Sequence, residues 1–182
     1  MGIEKWELGS KFFRVIALVL SANCFLIVAQ AQGDEPPSDV APPPLRLISR
    51  DERNLLDAET NHKKRTQLSL DLMEARLKNA EGLLAQSKFQ DTINELGSFQ
   101  ALMETTLKHL EKNDNGGSKA DYNFKRFEIG LRKTINRLEL VRRELPFKYG
   151  YYVQKLQKFV REARAKAIEP LFGSTVLPEG NR

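Results

Sequence analysis

Residues 45–145 contain no proline and only five glycines, and their large apolar residues recur at steps of three and four. A stretch of that length without helix breakers, patterned at the helical period, favours helices over strands. Thr66, Leu70, Met73, Leu77, Ala80 and Leu84 form one seam. Phe89, Ile93, Leu96, Met103, Leu107 and Leu110 form a second, and Phe124, Phe127, Leu131, Ile135, Leu138 and Val141 a third. Tyr152, Val153, Leu156, Val160, Ala163 and Ala167 continue the period up to Pro170 and Gly173. The chain is therefore expected to be all-α.

Local signals divide the helices. Ser49-Arg50-Asp51-Glu52 reads as a capping box, so the first helix should start there. It should run 38 residues to about Gln86, or ~57 Å, with weakly packed early turns that overhang the rest. Ser87 is placed to cap the second helix. Asn113-Asp114-Asn115-Gly116-Gly117-Ser118 is the strongest breaker, and the third helix runs from about Ser118 to Leu145, stopped by Pro146. A turn over Phe147 to Gly150 should precede the fourth helix. No single hairpin can bury its stripe alone, so the expected domain over 49–173 is two antiparallel helical hairpins packed as a four-helix bundle.

The flanks differ from this region. Lys5, Lys11 and Arg14, the apolar run Val15 to Ala29 and the small residues of Ala29-Gln30-Ala31 have the order of a secretory signal peptide over 1–31. Cleavage is expected after Ala31, because fifteen apolar residues interrupted by Ser21 and Asn23 fall short of the roughly 20 that span a bilayer. Residues 32–48 carry five prolines among acidic and small residues and read as a disordered linker, and 174–182 as a frayed tail. The only cysteine, Cys24, lies inside the signal, so the processed chain would hold neither disulfides nor thiolate sites. These features place the protein in a bacterial periplasm or outside the cell, with membrane contact only if the signal is retained.

The run AEGLLAQSKFQDTINEL, residues 80–96, resembles the helix junction of a tetratricopeptide repeat. The repeat's tryptophan, Leu-Gly pair and closing proline are absent, and no second copy follows at a period of about 34 residues. The resemblance implies a helical hairpin and carries over no peptide-binding groove.

Charge is unevenly distributed. Residues 51–114 hold 9 basic and 12 acidic side chains, whereas residues 119–168 hold 14 basic and 5 acidic. On the third helix Lys125, Arg126, Arg132, Lys133, Arg137 and Arg143 lie opposite the apolar stripe and are the candidate partner-binding residues. The expected partner is a protein or an anionic component of the cell envelope. Nucleic acid is disfavoured by the export signal and by the lack of aromatics interleaved with the cations. The His62-Lys63-Lys64-Arg65 cluster steps around its helix, with Glu59 placed to pair with Lys63, and reads as a solvated face. Tyr149, Tyr151 and Tyr152 beside Phe147 and Lys148 form an aromatic and basic corner expected to cap one end of the bundle.

Catalytic chemistry finds little support. His62 and His109 are the only histidines, no Cys or His pair has zinc spacing, and no phosphate-binding loop, nucleophile elbow or H-E-x-x-H occurs. In an EF-hand register Tyr122 takes the place of the essential glutamate. No enzyme activity, cofactor or metal is expected. The function expected is a non-enzymatic binding or scaffold protein of the envelope; the alternatives are a homo-oligomer built through the overhanging first helix, or an enzyme with a site assembled from scattered side chains.

Overall fold

A computed structural model describes residues 39–114 and 118–173, and the side chains up to residue 171. The described residues are helical without strands: α1 is Arg50–Ala58, α2 His62–Ala85, α3 Phe89–Lys112, α4 Ser118–Glu144 and α5 Phe147–Gly173. The signal peptide expected over 1–31 and the tail expected over 174–182 lie outside the described residues.

The expected single first helix is two. It stops after Ala58, because Glu59 adopts an extended conformation at the C-cap, and α2 restarts at Asn61, whose side chain accepts from the Lys64 N–H. Asn is among the strongest N-caps, so Asn61 carried this signal in the sequence. The break removes the expected overhang. α1 folds against α2, burying Leu56 and Glu52, and the Arg65 guanidinium reaches back to the Leu56 carbonyl and, at 3.1 Å, to Asp57. Glu59 then accepts from the Asn61 N–H at 2.8 Å, in place of the helical pairing with Lys63. The HKKR cluster is the first turn of α2, and His62, Lys63 and Lys64 are exposed there.

Ser49 caps α1 as its sequence indicates. Its Oγ accepts from the Glu52 N–H at 3.2 Å, while the Glu52 carboxylate accepts from the Ser49 N–H at 2.8 Å. Glu52 also receives two hydrogen bonds from Arg76 of α2, whose remaining nitrogen binds both Glu95 oxygens of α3 at 3.0 and 3.1 Å. One guanidinium thus ties three helices together. Burial pushes the Glu52 carboxyl up, but the bonds from Arg76 and from the Ser49 backbone and side chain outweigh it and hold it below the ordinary carboxylate range.

Ser87 does not cap α3. It takes a left-handed conformation, φ 59°, and closes α2: its N–H donates to Leu84 O at 2.8 Å and the Lys88 N–H to Leu83 O at 3.0 Å. This pair of bonds around a left-handed residue is the ending that glycine normally makes. Ser87→Gly should therefore raise stability by about 1 kcal/mol, since a side chain costs roughly that much in the left-handed region. Thermal denaturation would show it as a rise in Tm of about 3 °C.

The turn expected at Phe147 to Gly150 is absent. α5 starts immediately after Pro146, whose carbonyl accepts from the Tyr149 and Gly150 N–H groups at 2.9 and 3.2 Å. Proline lacks the N–H that would continue α4, yet its φ suits the residue before a helix.

α2 packs most extensively on α3 and α4 on α5; α2 also meets α4, α3 meets α5, and α3 and α4 touch lightly. One core runs through all five helices, with Met73, Leu77, Phe99, Phe127, Leu131 and Val160 fully enclosed. Thr66, Thr92, Thr106 and Thr134 are buried with their hydroxyls donated to carbonyls in the preceding turn, so no donor is stranded there.

The proline-rich linker is not a free tether over its described part. Residues 39–48 form a strap across α3 and α5. The Ala41 N–H donates to Lys148 O at 3.0 Å, Tyr152 Oη to Ala41 O at 2.6 Å, and the Leu45 N–H to Asn94 Oδ1 at 3.0 Å. A proline-rich segment lacks donors for ladders or helices, but its carbonyls remain strong acceptors, and the tyrosine uses one of them.

Candidate functional site

Of the six cations expected to form one binding face, Arg132, Arg137 and Arg143 are held in ion pairs. Arg132 donates to Glu128 at 2.7 and 3.2 Å, and Arg164 of α5 reaches the same carboxylate at 2.7 Å. Glu128 is 3% exposed, with Arg164 half-buried beside it and Arg132 reaching it from the solvent side. Burial raises its pKa, but the two guanidinium groups prevail and hold it low. Arg143 is bound at 2.8 Å to Glu139, which Arg142 and Gln157 also contact. Arg137 makes paired bonds to Glu74 at 2.6 and 2.7 Å and to Glu81 at 2.7 Å. It is the point where the basic second half meets the acidic first half through ion pairs among the described residues. An exogenous anion would have to compete with carboxylates at all three positions.

Lys125, Arg126 and Lys133 remain. They line a groove of about 720 Å³ between α2 and α4, together with Arg137. Its floor is apolar, with Leu70, Met73, Phe99 and Leu131, and Tyr122 and Ile129 stand exposed at its rim. Glycine is a poor helix former, but Gly130 inside α4 sets the spacing here. A Cβ at Gly130 would meet Leu70 Cδ2 at 2.4 Å, so its absence lets the α2 leucine lie against the α4 backbone.

Lys125 and Lys133 are exposed and make no ion pair among the described residues. Arg126 spans the groove. One terminal nitrogen donates to Gln67 Oε1 of α2 at 3.0 Å, and its guanidinium lies 5.4 Å from the centre of the Tyr122 ring. Its Nε is buried with no hydrogen-bond acceptor. Such a donor costs about 1–3 kcal/mol, more where the group is charged, and would be satisfied by an acceptor that the Arg126 side chain turns to meet. Asp71 and Glu74 also line the groove, but Asp71 accepts from Gln67 at 2.9 Å and Glu74 is held by Arg137. The amide bond leaves the Asp71 charge unpaired, so the wall presents three cations without carboxylate partners, Lys125, Arg126 and Lys133, against one such carboxylate, over an apolar floor.

His62, read from the sequence as part of a solvated face, meets His109. His62 Nδ1 and His109 Nε2 are 3.0 Å apart, with ring centres 5.2 Å apart. That ring separation is close to a collinear N–H···N bond between two imidazoles. Burial, then the charges of Arg65, His62 and Lys112, hold His109 below its ordinary pKa. The unfolded chain therefore binds protons more readily than the folded one, and stability should fall as pH drops from about 6.5 toward the depressed folded value. His109→Gln should flatten that slope between pH 5 and 7 in urea melts. Among the described residues no three His, Cys, Asp or Glu side chains gather to hold a metal, and no helix is long and apolar enough to cross a membrane.

The aromatic corner at the start of α5 is divided. Tyr149 packs 5.7 Å from Phe89, Tyr152 holds the strap, and Phe147 is exposed. No family model matches the chain, and no curated protein and no solved structure matches it either.

Proposed function

We propose that the protein is an exported, non-enzymatic helical binding or scaffold protein that takes an anionic partner in the groove between α2 and α4. In this reading α2 with α3 and α4 with α5 are antiparallel hairpins closed into a four-helix bundle, and the groove is a gap left between the two pairs. The observation that carries the proposal is the buried, acceptor-free Arg126 Nε beside a groove flanked by the unpaired Lys125 and Lys133. A volume near 720 Å³ falls in the range of pockets that enclose small ligands or a side chain of a partner. The partner would be an anionic envelope component or an acidic segment of a protein, drawn in by long-range attraction and held by the apolar floor.

Titration with vesicles containing anionic lipid and with an acidic peptide, at stepwise ionic strength, tests this. Affinity should fall steeply with salt and drop at least about tenfold in a Lys125→Glu, Lys133→Glu double variant, corresponding to about 1.4 kcal/mol. Binding that ignores both salt and the substitutions would remove the proposal. Export and cleavage after Ala31 are tested separately, by determining the N-terminal residue of the protein recovered outside the cytoplasm of an expressing bacterium.

A further inference from the structure

The strap over 39–48 is bound by a surface that reads an extended, proline-rich backbone. Its contacts are mostly to main-chain atoms. Tyr152 Oη donates to Ala41 O, Gln90 Nε2 lies 3.4 Å from Pro42 O, Asn94 Oδ1 accepts from the Leu45 N–H and Lys148 O accepts from the Ala41 N–H. Gly97 matters because the Leu45 carbonyl occupies the place of a side chain. A Cβ there would stand 2.2 Å from that oxygen and 3.1 Å from Pro44 Cβ.

Ala41, Pro44 and Ile48 face the helices, three and then four positions apart, and Ile48 packs against the core. Ala41 is buried and Pro44 half-buried, whereas Pro42, Pro43, Leu45, Arg46 and Leu47 are exposed. Pro44 sits among Ile93, Leu96, Tyr152, Val153 and Leu156. Polyproline II has three residues per turn and leaves its carbonyls free, and receptors for it combine aromatic and apolar walls with side-chain donors to those carbonyls. The surface between α3 and α5 has each of these parts.

We propose that this surface is a docking site for an extended proline-rich segment of another protein, with a small residue and a proline three positions apart, and that the strap is its resident competitor. The strap holds few enclosed side chains, so local opening would release it without unfolding the helices. In cis it acts at an effective concentration on the order of millimolar, which masks the site from weak partners. This groove is separate from the cationic one between α2 and α4, and neither proposal depends on the other.

The test uses the full chain and a synthetic peptide of residues 39–48, DVAPPPLRLI. Ala41→Asp with Pro44→Asp would eject the strap, and circular dichroism would verify that the helices persist; Pro44→Gly alone serves as the milder variant. Fluorescence anisotropy should show the labelled peptide saturating the strap-ejected chain, with apparent affinity about tenfold or more weaker for the unaltered protein. Adding Gly97→Val to the ejected chain should abolish binding. A folded, strap-ejected chain that fails to bind the peptide would overturn the proposal, as would binding that survives Gly97→Val. Concentration-dependent dimers of the unaltered protein that vanish with Ala41→Asp and Pro44→Asp would overturn it in favour of a second copy as the occupant.

Discussion

Arg76→Met should lower the free energy of unfolding by about 3 kcal/mol, the range found when one partner of an enclosed charge cluster is removed. Glu52 and Glu95 would lose a shared guanidinium and be left with carboxylates that no other cation contacts among the described residues. Both are well enclosed, with side-chain exposures of 11% and 22%. Arg76→Lys should recover only part of the loss, because an ammonium group cannot serve both carboxylates in forked geometry. The pH dependence separates this cause from lost packing. In the unaltered protein the Glu52 contribution is present above the carboxylate pKa of the unfolded chain and disappears as pH falls through the lowered folded value. The deficit of Arg76→Met should accordingly shrink on going from pH 7 to pH 3, which chemical denaturation at the two values would reveal.

Gly97→Val should have the second largest effect, and a local one. The added side chain would run into the Leu45 backbone, which cannot rotate away as a side chain would. Overpacking of this kind costs about 1–3 kcal/mol, partly offset because glycine is a poor helix former. Global stability is therefore a blunt readout. Hydrogen exchange is sharper: the Ala41 and Leu45 amides, now bonded to Lys148 O and Asn94 Oδ1, should lose their protection while those in the middle of α3 keep theirs. Unchanged protection at Ala41 and Leu45 would show that the strap is not held by its approach to Gly97.

The helical class and the buried stripes were legible because apolar periodicity records which face of a helix meets the core. Phe127, Leu131, Leu138 and Val141 are enclosed as that period requires, and Ser49 caps α1 through the residues that signalled it. Three features were not legible, each for a definite reason. The break at Glu59 to Asn61 rests on one capping asparagine in a stretch, residues 57–65, that holds no large apolar residue, so no periodicity was there to show an interruption. The left-handed Ser87 occupies a place where composition leads one to look for glycine. The strap was hidden because proline-rich composition describes how the segment behaves alone, not the Gly97 and Tyr152 that receive it.

The candidate site was legible in half. Charge patterning found Lys125, Arg126 and Lys133, but it also selected Arg132, Arg137 and Arg143, whose carboxylate partners stand beside them. A helical wheel ranks cations by direction and is blind to what neutralises them. The α2 side of the groove, Gln67 and Leu70, carried no signal beyond the seam, and Gly130 was the one residue whose position across from Leu70 would have indicated a close approach.

The seating of Ala41 at the mouth of α5 has a practical bearing on how this protein is handled. A truncation made at Ser49, where the helices begin, would strip a natural lid from Pro44's neighbours Val153 and Leu156 and leave a sticky seam on a protein that otherwise hides it. Affinity handles and fusion partners belong upstream of residue 39, so that the ten residues behind them keep their berth.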